Sequence, residues 1–162
     1  MQSKASPPAQ PVEAVIDAVL SASRVLVAVA ARSLSDIAEE VTLTQYRTLI
    51  VLASRGPQNL AGLAEAVGVT PATATRMCDR LVKKELVARS SKPDDRRHVH
   101  LTLTKKGRAL VSKVTKRRRL EIESIVKAIA PREQAILVQA LSRFADAAGE
   151  VPEQDWSTGW DL

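Results

Sequence analysis

The sequence predicts a mainly α-helical chain in which six helices accompany one small β-hairpin. Apolar residues recur at spacings of three, four and seven from Val12 onward, which is typical of amphipathic helices. Gly56-Pro57 and Gly68 interrupt that pattern at points where helices must end. After Leu86, two short alternating runs flank a polar segment, which indicates a hairpin.

Apolar positions divide the 162-residue chain into five parts. A proline-containing arm (1–11) precedes a first helical segment (12–43), a central lobe (44–103), a long helix and last helix (104–148) and a tail (149–162). The apolar stripe of the first helix is wider than one contact face needs, which indicates a dimer interface. Thr44 is the expected N-cap of the second helix, and the long helix is expected from about Lys105 to Ile129.

The most informative segment runs from Asn59 to Arg76. It predicts a short helix, a tight turn at Gly68 and a second helix that Thr70 caps and Pro71 begins. Two helices joined in this way form a helix-turn-helix, whose second helix reads the major groove of DNA. The alternative is an ordinary helical hairpin within an α-bundle. The basic hairpin that follows, with residues 90–97 as its polar tip, favours the DNA-binding interpretation.

Charge is distributed unevenly along the chain. The net charge is +6, but the stretch from Arg76 to Arg119 holds sixteen basic and four acidic residues, a net +12, and the rest carries −6. A basic middle between acidic flanks is typical of a surface that binds a polyanion, although a solvated helical surface can look similar. Aromatic residues are only 2% of the chain, which argues against RNA stacking.

The sequence gives little support to catalysis or metal binding. No nucleophile–base pair, phosphate-binding glycine loop or Cys/His cluster can be assembled, so neither an enzyme, a metal site nor a cofactor is expected. The single Cys78 falls on the buried stripe of the second helix of the motif, where a core role is favoured over thiol chemistry. His98 and His100 are expected to be surface strand residues. Without a signal peptide or an uncharged apolar stretch, we expect a cytoplasmic protein with no membrane contact.

The sequence resembles the MarR family (multiple-antibiotic-resistance regulators) from about Val12 to Ala148. The match rests on the 60–76 segment, on Asp79-Arg-Leu-Val-Lys-Lys84, and on Asp94-Asp-Arg-Arg97 followed by Leu101-Thr-Leu-Thr-Lys-Lys-Gly107. The resemblance implies a winged helix-turn-helix homodimer, joined by its N- and C-terminal helices, on a palindromic operator in double-stranded DNA. It also implies a repressor that is released by a small lipophilic or phenolic ligand.

The resemblance also implies which residues contact DNA. The expected set lies on the recognition helix and the wing: Thr70, Thr73, Thr75, Arg76, Arg80, Asp95, Arg96 and Arg97. Arg76 suits bidentate contact with guanine, and Arg97 suits the minor groove with Asp95 orienting it. For the threonines, capping and surface filling are alternatives, and for the wing, a solvated tip is the alternative.

Two positions depart from the family pattern, and the tail remains open. Glu85 stands where the family has glycine after the recognition helix, so the helix end is expected to differ. Ala74 is smaller than the usual branched residue.

Trp156 and Trp160 are candidates to cover the dimer seam, to line a ligand pocket or to belong to an unstructured tail. A nonspecific architectural DNA-binding protein is the competing functional interpretation.

Overall fold

A computed structural model describes residues 11–37, 41–92 and 95–156, with the side chains of residues 91, 92 and 95–98 excepted. The described part contains six α-helices and one two-stranded antiparallel sheet, which confirms the predicted fold class. The elements, in chain order, are α1 (Val12–Leu34), α2 (Leu43–Arg55), α3 (Leu60–Val67), α4 (Pro71–Lys83), β1 (Val87–Lys92), β2 (Asp95–Leu103), α5 (Lys105–Val126) and α6 (Pro131–Ala147), with short 3-10 turns at Ser35–Ile37 and Glu153–Asp155.

Helix α2 begins earlier than the sequence predicted. Its N-cap is Thr42, whose hydroxyl accepts a hydrogen bond from the Gln45 N–H at 3.3 Å. The Gln45 side chain in turn accepts one from the Thr42 N–H at 3.0 Å, so the two residues form a capping box. Thr44, the predicted cap, lies inside the helix because no such reciprocal partner lies three residues after it.

The α3–turn–α4 unit forms as the sequence predicted. Asn59 caps α3 by accepting the Gly62 N–H at 2.7 Å. Gly68 ends that helix in a left-handed conformation, with φ at 73°. Thr70 then accepts the Thr73 N–H at 3.3 Å, and α4 starts at Pro71. The two helices are therefore fixed at their junction by one glycine and one cap.

The hairpin is longer than expected. Residues 90–97 were predicted as a polar tip, but β1 continues to Lys92 and β2 begins at Asp95, with an irregularity in the register between Ser91 and Lys92. Backbone hydrogen bonding between polar residues extends the ladder, because strand pairing does not require the apolar alternation that located the strands. Gln58 also pairs with Leu101 through two backbone hydrogen bonds of 3.1 and 2.7 Å, which ties the segment before α3 to the hairpin.

The core lies where α2, α3, α4, the hairpin and the first half of α5 meet. Its fully buried members include Leu49, Leu52, Leu63, Leu81 and Leu86. Truncating one such leucine to alanine typically costs about 2–5 kcal/mol. The core thus sets the position of α4 relative to the wing.

Glu85 follows α4 with a positive φ, a backbone conformation that favours glycine. Its φ is 60°, and its carbonyl accepts a hydrogen bond from the Thr104 hydroxyl at 2.6 Å. Glu85 therefore carries the strain of a side chain at positive φ.

The N- and C-terminal helices leave apolar side chains exposed. Phe144 is 55% exposed and no residue of α6 is buried. Ile125 and Ile136, which were expected to face inward, are 42% and 61% exposed. The exposed apolar side chains of α1 include Val12, Val15, Ile16, Leu20, Leu26 and Val27. Contiguous exposed apolar surface of this kind marks an interaction site.

By length and hydropathy, α1 also meets a criterion for membrane spans, one that admits charged residues. The stretch Val12–Ile37 has a mean hydropathy of 1.9, and 6% of its most apolar window is buried. One such helix near an N-terminus is weak evidence for a membrane span. The stretch carries Glu13, Asp17, Arg24, Arg32 and Asp36, and a central charge costs about 2.5–3.5 kcal/mol in a bilayer. Packing against another apolar helix face buries the same surface without placing a charge in the bilayer.

Candidate nucleic-acid interface

Helix α4 has one buried face and one exposed face. Ala74, Met77, Cys78 and Leu81 are buried and hold the helix on the core. The small Ala74 is fully covered, so its size leaves no opening beneath the helix. The other face carries Thr73, Thr75, Arg76 and Arg80, four of the residues that the sequence predicted to contact DNA.

Arg76 and Arg80 lie one turn apart on the exposed face of α4. Both line a cleft of about 310 Å³ that also includes Thr42, Thr44, Gln45, Thr73 and Met77. Within the part of the chain that the structure describes, neither guanidinium takes part in an ion pair. Their positive charge is therefore available to an external anion.

The predicted threonines are used partly for local structure. The Thr70 hydroxyl caps α4 and donates to the Thr73 hydroxyl at 3.0 Å. Thr75 donates its hydroxyl to the Pro71 carbonyl at 2.9 Å. Its oxygen retains acceptor capacity, but its donor is taken by a carbonyl of its own helix, so within the protomer Thr75 does not cap α4.

The wing residues are only partly described. Asp95, Arg96 and Arg97 lie in β2, but their side chains fall outside the described part, so the proposed Asp95–Arg97 contact is not tested. At the other end of the hairpin, Arg89 of β1 forms an ion pair with Asp79 of α4. Sequence reasoning missed this contact because nothing in the spacing of two charges ten residues apart places them together.

The start of α5 is packed closely against the hairpin. A Cβ on Gly107 would lie 2.1 Å from the Leu86 carbonyl oxygen, inside any permitted contact. The same oxygen accepts the Thr104 N–H at 3.1 Å, and Lys106 Nζ donates to the Lys84 carbonyl at 3.0 Å. The Leu-Thr-x-x-Gly pattern therefore has a structural reason that the sequence did not supply: it joins the wing to α5.

The other residues that could take part in catalysis or metal binding are buried or lack suitable partners among the described residues. Cys78 is 1% exposed, and burial raises the pKa of its thiol although Arg89 opposes the rise, which confirms the expected core position. His100 is half-buried and its Nδ1 has no hydrogen-bond partner among the described residues. No three His, Cys, Asp or Glu side chains within the described ranges gather closely enough to hold a metal ion.

Comparison with known proteins gives consistent results. The family model described as "MarR family" matches residues 41–99. The HTH-type transcriptional repressor NicR of Pseudomonas putida is 32% identical over 108 residues, which cover 67% of this chain and 68% of NicR. Across the curated relatives, the matched stretch spans from 48% to 77% of the relative's length.

Solved structures extend the likeness over most of the chain. The crystal structure of RV1404 from Mycobacterium tuberculosis aligns with a TM-score of 0.80 and 45% identity, covering 90% of this chain and 99% of that one. A structure of Bordetella bronchiseptica BpsR, described as showing regulation of DNA binding by 6-hydroxynicotinic acid, aligns with a TM-score of 0.62 and 28% identity. It covers 86% of this chain and 99% of BpsR.

Proposed function

The chain belongs to the MarR family of DNA-binding transcriptional regulators, and we propose that it is a ligand-released repressor that binds a palindromic operator as a homodimer. The observation that carries the proposal is the exposed face of α4, where Arg76 and Arg80 stand without ion-pair partners among the described residues. A cytoplasmic location follows from this role. A nonspecific architectural DNA-binding protein is the second candidate, favoured only by the uneven charge.

Dimerisation through α1 and α6 is supported by their exposed apolar side chains. Phe144 and Leu20, each more than half exposed, are in the set that a second copy would cover. In such a dimer, two copies of α4 would lie one turn of DNA apart, roughly 34–36 Å. Phe144→Glu is expected to yield monomers in light scattering, with Ser142→Glu, which adds the same charge at an exposed position on another face of α6, as the control. A Phe144→Glu protein that remains dimeric would remove α6 from the interface.

In this proposal, Arg76 and Arg97 recognise DNA in different ways. Arg76→Ala is expected to cost about 1–3 kcal/mol and to relax selectivity at one base pair. Arg97→Ala is expected to weaken binding to all duplexes alike, because an arginine in the minor groove responds to its potential more than to sequence. Arg132→Ala removes the same charge from the start of α6, away from α4, and is the matched control.

The proposal is tested by footprinting on DNA that flanks the gene, followed by anisotropy titrations with the protected duplex and with random DNA. A regulator prefers its site by roughly 10³-fold or more. A ratio near one would favour the architectural protein instead. Release by a ligand requires that the ligand bind one arrangement of the two lobes better than another. BpsR is a relative whose DNA binding is regulated by 6-hydroxynicotinic acid.

A further inference from the structure

Helix α6 is anchored at its two ends and has no buried residue between them. At its start, the Gln134 side-chain amide donates to the Val126 and Ile129 carbonyls at 3.1 and 2.8 Å, which ties the helix to the end of α5. Its other end leads into residues 149–156, the C-terminal strap. The contacts of the strap therefore decide how α6 lies relative to the DNA-binding lobe, which comprises α2, α3, α4 and the hairpin.

The end of α6 is a Schellman motif, which fixes Glu150 to the last turn of the helix. Gly149 adopts a φ of 69°, and its N–H donates to the Asp146 carbonyl at 3.0 Å. The Glu150 N–H donates to the Ala145 carbonyl, also at 3.0 Å. These are the two hydrogen bonds that define the motif. The backbone of Glu150 is therefore a rigid extension of α6.

The Glu150 side chain links this rigid extension to α2. Both terminal nitrogens of Arg47 donate to its carboxylate, at 3.2 and 2.5 Å, in a fork-like pair. Two parallel hydrogen bonds restrict direction as well as distance. The side chains are 38% and 36% exposed, and partly solvated ion pairs contribute little to stability. The Arg47–Glu150 pair is therefore suited to fix an angle between α2 and α6 more than to stabilise the fold.

Further contacts hold the strap along its length. Arg55 donates to the Gly149 carbonyl at 3.0 Å, and Arg119 pairs with Glu153 at 3.7 Å. Trp156 packs against the hydrophobic core. These contacts keep the strap against α2 and α5, but each of the two polar ones is a single-point contact. Removing the Arg47–Glu150 pair is therefore expected to loosen the angle of α6 and to leave the strap in place.

Helix α2 connects the pair to the recognition helix. The first turn of α2 lines the same cleft as Arg76 and Arg80 of α4. Thr48, the residue after Arg47, donates its hydroxyl to the Met77 sulfur of α4 at 3.3 Å. Because α2 and α4 are packed together in this way, a change of angle between α2 and α6 also moves α4 relative to α6.

We propose that Arg47 and Glu150 are positioning residues, which set the angle between α6 and the DNA-binding lobe and thereby the distance between the two copies of α4. The inference rests on the homodimer of the proposed function, in which α6 belongs to the interface. Helix α6 has 17 residues and is about 25 Å long, so a tilt of about 5° about one end moves the other by about 2 Å. Hydrogen bonds to base edges keep their length only within about 0.5 Å.

Distances between spin labels test the positioning role within one protomer. Labels are placed on α3 (Ala61→Cys) and α6 (Gln139→Cys) in a Cys78→Ala background, and the labelled chain is diluted with unlabelled chain. The native pair is expected to give one narrow distance distribution. Arg47→Glu and Glu150→Arg are each expected to shift or broaden it by about 2 Å or more. The double charge reversal restores the pair and is expected to restore the native distribution.

The spacing of DNA half-sites tests the consequence for recognition. Anisotropy titrations use duplexes of equal length in which the two half-sites are moved one base pair apart or together. The native protein is expected to prefer its own spacing by about tenfold, because a misplaced half-site loses base contacts. Arg47→Glu and Glu150→Arg are each expected to reduce that preference to about twofold, and the double reversal to restore it. The preference compares duplexes of equal charge, so the change in protein charge cancels.

Asp146→Arg is the matched control for Glu150→Arg, since it makes the same change of charge at an exposed position on the last turn of α6. It is expected to keep the native distances and the native spacing preference. Thermal melting establishes that each variant folds, and Glu150→Gln, which removes only the charge, is expected to shift both readouts in the same direction if a reversal does not fold. Native behaviour of both single variants, or changes that the double reversal does not correct, would overturn the proposal.

The two proposals fail separately. A native protein that is monomeric or shows no site preference would refute the proposed function, and the label distances would still report whether the Arg47–Glu150 pair positions α6. Normal site preference together with unchanged label distances would refute only the positioning role.

Discussion

Gly107→Ala tests the close approach of α5 to the hairpin. Helix propensity alone favours alanine over glycine by up to about 1 kcal/mol. The structure reverses the sign, because the new Cβ would lie 2.1 Å from the Leu86 carbonyl oxygen and 3.1 Å from Leu103 Cδ2. The first neighbour is backbone and cannot rotate away, so the start of α5 must move from β1.

The magnitude follows from what that movement disrupts. Overpacking of this kind costs about 1–3 kcal/mol. Lengthening the Thr104 N–H to Leu86 carbonyl bond, now 3.1 Å, adds up to about 1 kcal/mol. After the propensity gain, the expected net loss is about 1–3 kcal/mol. For a chain of this size, that corresponds to a fall in Tm of roughly 3–10 °C.

The assay is urea denaturation followed by circular dichroism, with thermal melting alongside. Gly62→Ala is a closely matched control because Gly62, like Gly107, is the third residue after a capping side chain. Its Cβ would lie 3.3 Å from Asn59 Oδ1 and 3.4 Å from Gln58 Oε1, both on flexible side chains. The control is expected to stay within about 0.5 kcal/mol of the native protein. A Gly107→Ala protein as stable as that control would refute the reasoning.

Two further changes test local features. Glu85→Gly is expected to raise the free energy of unfolding by about 0.5–1 kcal/mol in urea melts, since the residue adopts a φ of 60°. Lys84→Gly is the control and is expected to lower the free energy of unfolding, because Lys84 has a φ of −82°. The opposite order of the two variants would contradict the strain assignment. Cys78 is expected to react with a thiol reagent at pH 8 at least about 100-fold more slowly in the native protein than in urea, because burial both raises the thiol pKa and blocks access. Equal rates would show that α4 opens readily.

Local signals accounted for the elements that could be predicted. The α3–turn–α4 unit was located because Asn59, Gly68 and Thr70 each act within three residues of their own position. The start of α2 was misplaced because the sequence prediction chose Thr44, whereas Thr42, two residues earlier, forms the capping box with Gln45. The strand ends were misplaced because β-pairing of polar residues leaves no periodic signal.

The candidate DNA contacts likewise divide into residues that the sequence predicted and contacts that it missed. Arg76 and Arg80 were predicted from the resemblance, and the structure places both on the exposed face of α4. Their common cleft with the start of α2 could not be predicted, since it joins segments about thirty residues apart. The Arg89–Asp79 ion pair was missed for the same reason.

By itself, the sequence determined the order of the helices, the position of the turn, the uneven charge and the exposed face of α4. Each of these depends on residues within one or two helical turns of one another. Only the tertiary structure decided that Gly107 meets Leu86, that Glu150 after α6 pairs with Arg47, and that Arg76 shares a cleft with the start of α2. Such contacts depend on how whole elements pack, and packing brings together residues whose separation along the chain carries no information about their distance in space.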